Sequence, residues 1–383
     1  MSTAFPAILI YSSSVCIAFY GFISLETTRL IRLINYAKIA IYFAYAHNIS
    51  ENIFSHKIRG ASGKKIEQAL FFPLGLHYLC KNMDNFSVTI LGCGSAKPTV
   101  RHNPSAQLVC LNSKSFLIDC GEGTQTQLMR AHCKFNRLRH IFISHLHGDH
   151  CYGLPGLLST MGLTGLDGET VIHLPEEGVR LFKPLLDYSA HDLNVRFEPY
   201  EYGNNIIYED RSMTVNTVPL VHRLPCVGFV FREKPKPRHI NPDAIQRWQV
   251  PTCYRNNIKA GDDYVTPDGI VVPNDALTTD PDPSRVYAYI SDTMPLKAVV
   301  SEVAGADLLY HEATFLSDLR QRAKQTLHTV AADAAAIARD AKVKRLIIGH
   351  FSSRYINESM LLDEAKAVFP DTILAKEGLT INI

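Results

Sequence analysis

Ser144-His145-Leu146-His147-Gly148-Asp149-His150 follows the apolar run His140-Ile141-Phe142-Ile143, and its reading decides the fold. It places three imidazoles and a carboxylate within six residues. In extended backbone, positions i and i+2 share a face, so His145 and His147 converge on one ion. Gly148 is expected to permit a sharp turn that re-aims Asp149 and His150 toward a second position. Imidazole and carboxylate without thiolate are the donors of a catalytic zinc site with an open coordination position. The competing explanation is a chance histidine cluster in a loop, and the tight spacing argues against it.

This motif resembles the signature of the metallo-β-lactamase superfamily. The resemblance implies an α/β protein built as a four-layer αβ/βα sandwich. The superfamily spans β-lactamases, glyoxalases, phosphodiesterases and nucleases, so the fold alone leaves the reaction open.

The chain of 383 residues has room for one large domain or two small ones. Hydrophobic content of 46% and charged content of 20% are those of a soluble globular enzyme. A net charge of +2 excludes a uniformly basic nucleic-acid binder, so any RNA-binding surface must be local. Nine cysteines without a Cys-x-x-Cys pair argue for a reducing, cytoplasmic setting and against a disulfide framework. Cys93, Cys110 and Cys120 read as small buried hydrophobes. Cys151 adjoins the motif as a further candidate ligand, but the histidines and carboxylates suffice without it.

Residues 1–82 differ from the rest. Ala4 to Leu25 carries no charge and has the length of a membrane span, yet lacks the basic start of a signal peptide. A membrane anchor, an accessory segment and a translated upstream region are the three readings. The last is preferred, because Met83 directly precedes the first strand-like run, Phe86 to Leu91. The expected organisation is an extension, 1–82, outside the catalytic fold, and a catalytic domain, 83–383, with no membrane partner.

Three more ligand-type residues leave apolar runs for loops: His222 after Met213 to Val221, Asp292 after Val286 to Ile290, and His350 after Leu346 to Gly349. Functional groups of α/β proteins concentrate at such exits. Asp292 suits a bridging position, because each carboxylate oxygen can face a different cation.

Further strings narrow the resemblance. Leu91-Gly-Cys-Gly-Ser-Ala-Lys-Pro-Thr99, Leu117-Ile-Asp-Cys-Gly-Glu-Gly-Thr-Gln-Thr-Gln127, His311-Glu-Ala-Thr-Phe315, His328-Thr329 and Gly349-His-Phe-Ser-Ser-Arg-Tyr355 are similar to those of the ribonuclease Z family. The similarity runs from about Phe86 to the C-terminus. It implies a homodimeric endoribonuclease that removes the 3′ trailer from precursor tRNA, leaving a 3′-hydroxyl on the tRNA and a 5′-phosphate on the trailer. It further implies two zinc ions per subunit. His145, His147 and His222 would hold one ion and Asp149, His150 and His350 the other, with Asp292 between them. Asp149 would also aim or deprotonate the attacking water. His328 would protonate the leaving 3′-oxygen, Glu312 would fix its tautomer, and Thr329 would cap a helix from Val330 to Ala341. Arg354 would meet a substrate phosphate. A dinuclear-zinc phosphodiesterase acting on small phosphodiesters or cyclic nucleotides is the alternative. A membrane-tethered metal- or RNA-binding protein is a more distant one, since it leaves the hydrolytic site unused.

Between Arg232 and Gly261 stand seven Lys/Arg against two acidic residues. With its recurring prolines, this stretch reads as a protruding basic arm, about 232–284, inserted between two ligand strands. In the family such an arm grips the tRNA body, so Lys234, Lys236 and Arg238 become candidate RNA contacts. Val250-Pro-Thr-Cys-Tyr-Arg-Asn-Asn-Ile-Lys259 departs from the family's usual arm string, so contact residues do not transfer by motif.

Overall fold

Period-two alternation explains why two sheets form and how they stack. In Lys114–Ile118, Phe116 and Ile118 face one core while Leu117 faces another; in the next strand Phe142 joins the first core and Ile141 the second. The computed structural model describes residues 86–165, 167–189 and 193–383, so the expectations for residues 1–82 lie outside the described residues.

The first sheet runs, edge to edge, Thr380–Asn382, Phe86–Gly92, Ala106–Leu111, Lys114–Ile118, Leu138–Phe142, Thr170–Pro175 and Val195–Tyr200. The second runs Thr372–Leu374, Leu346–Gly349, Leu308–Glu312, Val286–Ile290, Cys226–Glu233, Met213–Leu220 and Ile206–Glu209. Phe86, Val88, Phe116 and Phe142 of the first sheet pack on Phe229, Phe231, Tyr287 and Tyr289 of the second. Outside the first sheet, helices Thr124–Arg130, Leu154–Leu163 and Glu176–Ser189 bury Leu128, Leu157, Leu158 and Phe182. Outside the second, helices Lys297–Glu302, Ala331–Asp340 and Ser359–Lys366 bury Val299, Ala334, Ala338 and Leu361. The anticipated αβ/βα layering is the observed one.

Strand direction positions the site. Lys114–Ile118 and Leu138–Phe142 are parallel, as are Val286–Ile290, Leu308–Glu312 and Leu346–Gly349. Met213–Leu220 runs the same way, being two antiparallel steps from Val286–Ile290. The residues that follow these strands therefore gather along a single edge of the sandwich.

The basic insertion read as an arm is itself folded. It begins after Glu233, the last residue of a core strand, and has its own apolar centre of Ile245, Val250, Ile258, Tyr264, Val272 and Leu277. Short helices Pro242–Arg247 and Arg255–Ala260 surround it, with Asn241 capping the first through the amides of Asp243 and Ala244. At its root Arg285 grips Glu233 through two bonds, 2.8 and 2.6 Å, holding that carboxyl below the usual carboxylate range against the effect of burial.

The alternation that buries Phe142 also sends two histidines inward. His140 Nδ1 lies 3.0 Å from His173 Nε2, and the His173 ring stacks on Phe142 at 4.5 Å. Burial pushes His140 down to about 4 and His173 to about 3. Their contribution to stability is whole above the unfolded histidine value of about 6.5 and is lost as pH falls through the depressed values, at about 1.4 kcal/mol per pH unit per group. In chelator, the urea midpoint should therefore drop between about pH 6.5 and 4. His173→Gln, which cannot titrate, should drop less; equal slopes would remove this pair as the cause.

Candidate metal centre

Seven ligand-type side chains meet where the two sheets share their edge. His145, His147, His222 and Asp292 offer ligand atoms within 4.8 Å of one another, and so do Asp149, His150 and His350. Asp292 joins the groups: Oδ2 lies 3.8 Å from His145 Nε2 and 3.6 Å from His222 Nε2, while Oδ1 lies 3.4 and 3.2 Å from Nε2 of His150 and His350. All the residues that the sequence proposed as metal ligands stand together. Their number and arrangement match two sets sharing one carboxylate.

The residues present fit a cation. Asp292 Oδ1 is buried with no hydrogen-bond partner. His147 Nδ1 faces His145 Nε2 at 3.0 Å and His222 Nε2 at 3.2 Å, an arrangement in which lone pairs repel unless a positive centre lies between them. The outer ring nitrogens are occupied elsewhere. His150 Nδ1 donates to Asp119 Oδ2 at 2.7 Å, and His222 Nδ1 donates to the Leu327 carbonyl at 3.0 Å. His350 Nδ1 meets Thr314 Oγ1 at 3.0 Å, and His145 Nδ1 meets Ser144 Oγ at 3.0 Å. Such partners fix the ring orientation and leave the inward nitrogen to coordinate.

Asp119, inside the Leu117–Gln127 string, is a further residue of the site. It is fully buried at φ 56° and receives the Ser144 amide (2.7 Å), the Ser144 hydroxyl (3.0 Å) and the Tyr289 hydroxyl (2.7 Å) besides His150. The signal was available: a carboxylate ending an apolar strand. Thr314, the Leu327 carbonyl and the Ala96 amide carry no such signature. Ala96 N–H donates to Asp149 Oδ2 at 2.6 Å, which aims that carboxylate into the cleft.

The chain turns at Gly148 from extended backbone into the short helix Gly148–Cys151, which brings Asp149 and His150 round. One local expectation is corrected. Thr329 caps nothing: Val330 holds the cap position of Ala331–Asp340, and the Thr329 hydroxyl donates to the Thr293 carbonyl at 2.8 Å. Cys151 turns its thiol to the His147 carbonyl, 3.3 Å away, rather than toward the ligand atoms. Gly121 earns its place through close approach, since a Cβ there would lie 2.5 Å from the Asp149 carbonyl oxygen.

His328 stands beside the cluster, its Nδ1 2.9 Å from Glu312 Oε1. Glu312 is fully buried and also accepts the amides of Thr293 (3.2 Å), Thr329 (3.0 Å) and Thr314 (3.1 Å). Burial alone would lower His328, but the Glu312 carboxylate outweighs it and lifts the imidazole to about 9. The cleft of about 440 Å³ is lined by His147, Asp149, His222, Asp292, His328 and His350 together with Arg223, Arg322 and Arg354. Arg354 sits 5.2 Å over the Phe315 ring and donates to Ser352 Oγ at 3.0 Å.

The arm cations are engaged nearer home. Lys234 pairs with Glu209 at 2.6 Å, Lys236 with Glu233 at 3.5 Å, and Arg238 with Asp275 at 2.7 Å and Asp280 at 3.0 Å. None of the three lines the metal cleft.

Known proteins can be set beside this geometry. The family profile of the Anti-Pycsar protein Apyc1 matches residues 86–223, which includes the first ligand motif and His222 but stops before Asp292 and His350. Ribonuclease Z of Bacteroides fragilis is 53% identical over 304 residues, covering 79% of this chain and 100% of that protein. Ribonuclease Z of Porphyromonas gingivalis is 47% identical over 304 residues, with the same coverage. Among solved structures, the short form of human tRNase Z matches with a TM-score of 0.55 at 26% identity, over 77% of this chain and 98% of that one. The metallo-β-lactamase fold protein YhfI from Bacillus subtilis matches with a TM-score of 0.57 at 18% identity, over 78% of this chain and 100% of that one, a likeness of fold.

Proposed function

This chain belongs to the ribonuclease Z family, and from that premise we propose that its cleft, holding two zinc ions, hydrolyses the phosphodiester between a tRNA 3′ end and its trailer. It is a metal-binding tRNA 3′-processing endoribonuclease of metallo-β-lactamase fold. The observation that carries the two-ion reading is Asp292, whose oxygens are divided between two imidazole sets. His145, His147 and His222 would hold one ion and Asp149, His150 and His350 the other. Bound there, the ions would supply an acidified water and neutralise phosphate charge.

The side chains do the rest. Asp149, braced by the Ala96 amide, orients the attacking water and takes its proton. The protonated imidazole of His328, held by Glu312, gives its proton to the leaving 3′-oxygen, so the tRNA keeps a 3′-hydroxyl and the trailer a 5′-phosphate. Arg354, pre-ordered over Phe315, meets a neighbouring phosphate.

We assign the arm to the tRNA body. Arg247, Arg255 and Lys259 are exposed on its two helices and carry no ion pair among the described residues. Lys234, Lys236 and Arg238 would each have to leave a carboxylate before meeting RNA. Neutralising Arg247, Arg255 and Lys259 should therefore lower the log–log salt slope of precursor-tRNA binding by roughly 0.7–0.9 per lost contact. The Lys234/Lys236/Arg238 triple should lower it less. A larger effect of the second triple would overturn the ion-pair argument.

A second copy of the chain fits the outer face of Glu176–Ser189, where Leu181 and Tyr188 are exposed on a helix whose other side is buried. The described cysteines are free thiols, which suits a reducing, cytoplasmic setting. Among the described residues no helix is long and apolar enough to cross a membrane.

The test is cleavage of a precursor tRNA against bis(p-nitrophenyl) phosphate, with the full chain and with protein beginning at Met83. Both forms should process the precursor at the tRNA 3′ end. Hydrolysis of the small ester without tRNA cleavage would favour the small-phosphodiester alternative. An inactive shorter form beside an active full chain would place residues 1–82 in the working structure.

A further inference from the structure

Apart from the cleft, Cys93, His102 and Glu377 bring a thiol, an imidazole and a carboxylate within ligand distance of one another. Cys93 Sγ lies 3.3 Å from His102 Nδ1 and 3.6 Å from Glu377 Oε1. His102 Nδ1 lies 3.2 and 3.1 Å from the two Glu377 oxygens. Zinc bonds of about 2.0–2.3 Å in tetrahedral geometry place neighbouring donors roughly 3.3–3.8 Å apart, close to this set. The surroundings match as well. The other imidazole nitrogen, Nε2, lies 3.2 Å from Glu358 Oε1, the type of carboxylate partner that orients a metal-bound histidine, and the Asn103 amide donates to Glu377 Oε1 at 3.0 Å. Cys93, expected as an apolar filler, is fully buried with its sulfur turned toward these groups.

We propose that Cys93, His102 and Glu377 form a separate structural site for a zinc-type transition ion. Sulfur in the donor set selects such an ion over magnesium or calcium. Binding expels the thiol proton and any proton on His102 Nδ1, and the three side chains supply three donors, leaving the fourth position to solvent. The ion would tie the loop 93–103 to the C-terminal segment. That loop carries Ala96, whose amide aims Asp149. The competing explanation is an ion-free group in which a protonated His102 is shared by Glu358 and Glu377.

Cobalt(II) titration of the full chain, stripped of metal with chelator, separates the two. The cleft ligands are nitrogen and oxygen, so cobalt there gives only weak visible bands, whereas a thiolate adds an intense charge-transfer band in the near ultraviolet. The parent should show that band and take up one equivalent of cobalt beyond the cleft. Cys93→Ser should lose the band and that equivalent while keeping the visible bands of the cleft. Visible bands without charge transfer in the parent would overturn the site, and that result needs no folded variant. Persistence of the band in Cys93→Ser, or no cobalt uptake at all, would overturn it too.

Discussion

Asp149→Ala is expected to lower the turnover of precursor tRNA by more than about 10³-fold while leaving the fold intact. One substitution removes two functions. Asp149 Oδ2 stands 3.3 Å from His350 Nε2 and 3.7 Å from His150 Nε2, so its loss depletes one ligand set. It also removes the group that aims and deprotonates water, a role typically worth 10²–10⁴-fold. The fold should survive, because Asp149 lies in a short helix at the cleft and packs in neither sheet core. Single-turnover rates, metal content and circular dichroism check this together. A folded variant that retains turnover within a few-fold of the parent would sink the assignment.

His328→Ala should slow precursor cleavage by about 10²–10⁴-fold, with little loss of metal or tRNA affinity. The leaving ribose oxygen is strongly basic and needs the proton that His328 carries. p-Nitrophenolate leaves readily without one, so hydrolysis of bis(p-nitrophenyl) phosphate should fall far less. This contrast separates proton donation from a structural role, which would depress both substrates. His328 also lies in a ligand-sized group with Asp292 and His350, so measured loss of metal would reassign it as a ligand. Less than about a tenfold loss on tRNA would remove it as the acid.

What could be read beforehand follows from where information resides in a chain. His222, Asp292 and His350 were legible because each is a donor-type side chain ending an apolar run, and parallel strands carry such ends to one edge. The fold was legible for the same reason, since alternation assigns Phe142 and Ile141 to different cores. Residues that hold the ligands were harder to see. Leu327 acts through its carbonyl and Ala96 through its amide, and a backbone group leaves no mark on residue type. Thr329 had the composition of a cap but is drawn to the Thr293 carbonyl by a tertiary contact. The arm's core escaped notice because elements of two to six residues are too short for periodicity, and only the folded chain brings Ile245, Ile258 and Leu277 together.

Both ligand sets draw on both sheets. His145 and His150 follow a strand of the first sheet, while His222, Asp292 and His350 follow strands of the second. The first sheet is itself completed late, when Thr380–Asn382 pairs with Phe86–Gly92. The seven side chains are therefore brought together only where both sheets have formed. The last of the seven, His350, enters the cluster from a strand near the C-terminal end of the second sheet's chain path, so the cleft is complete only when both sheets are.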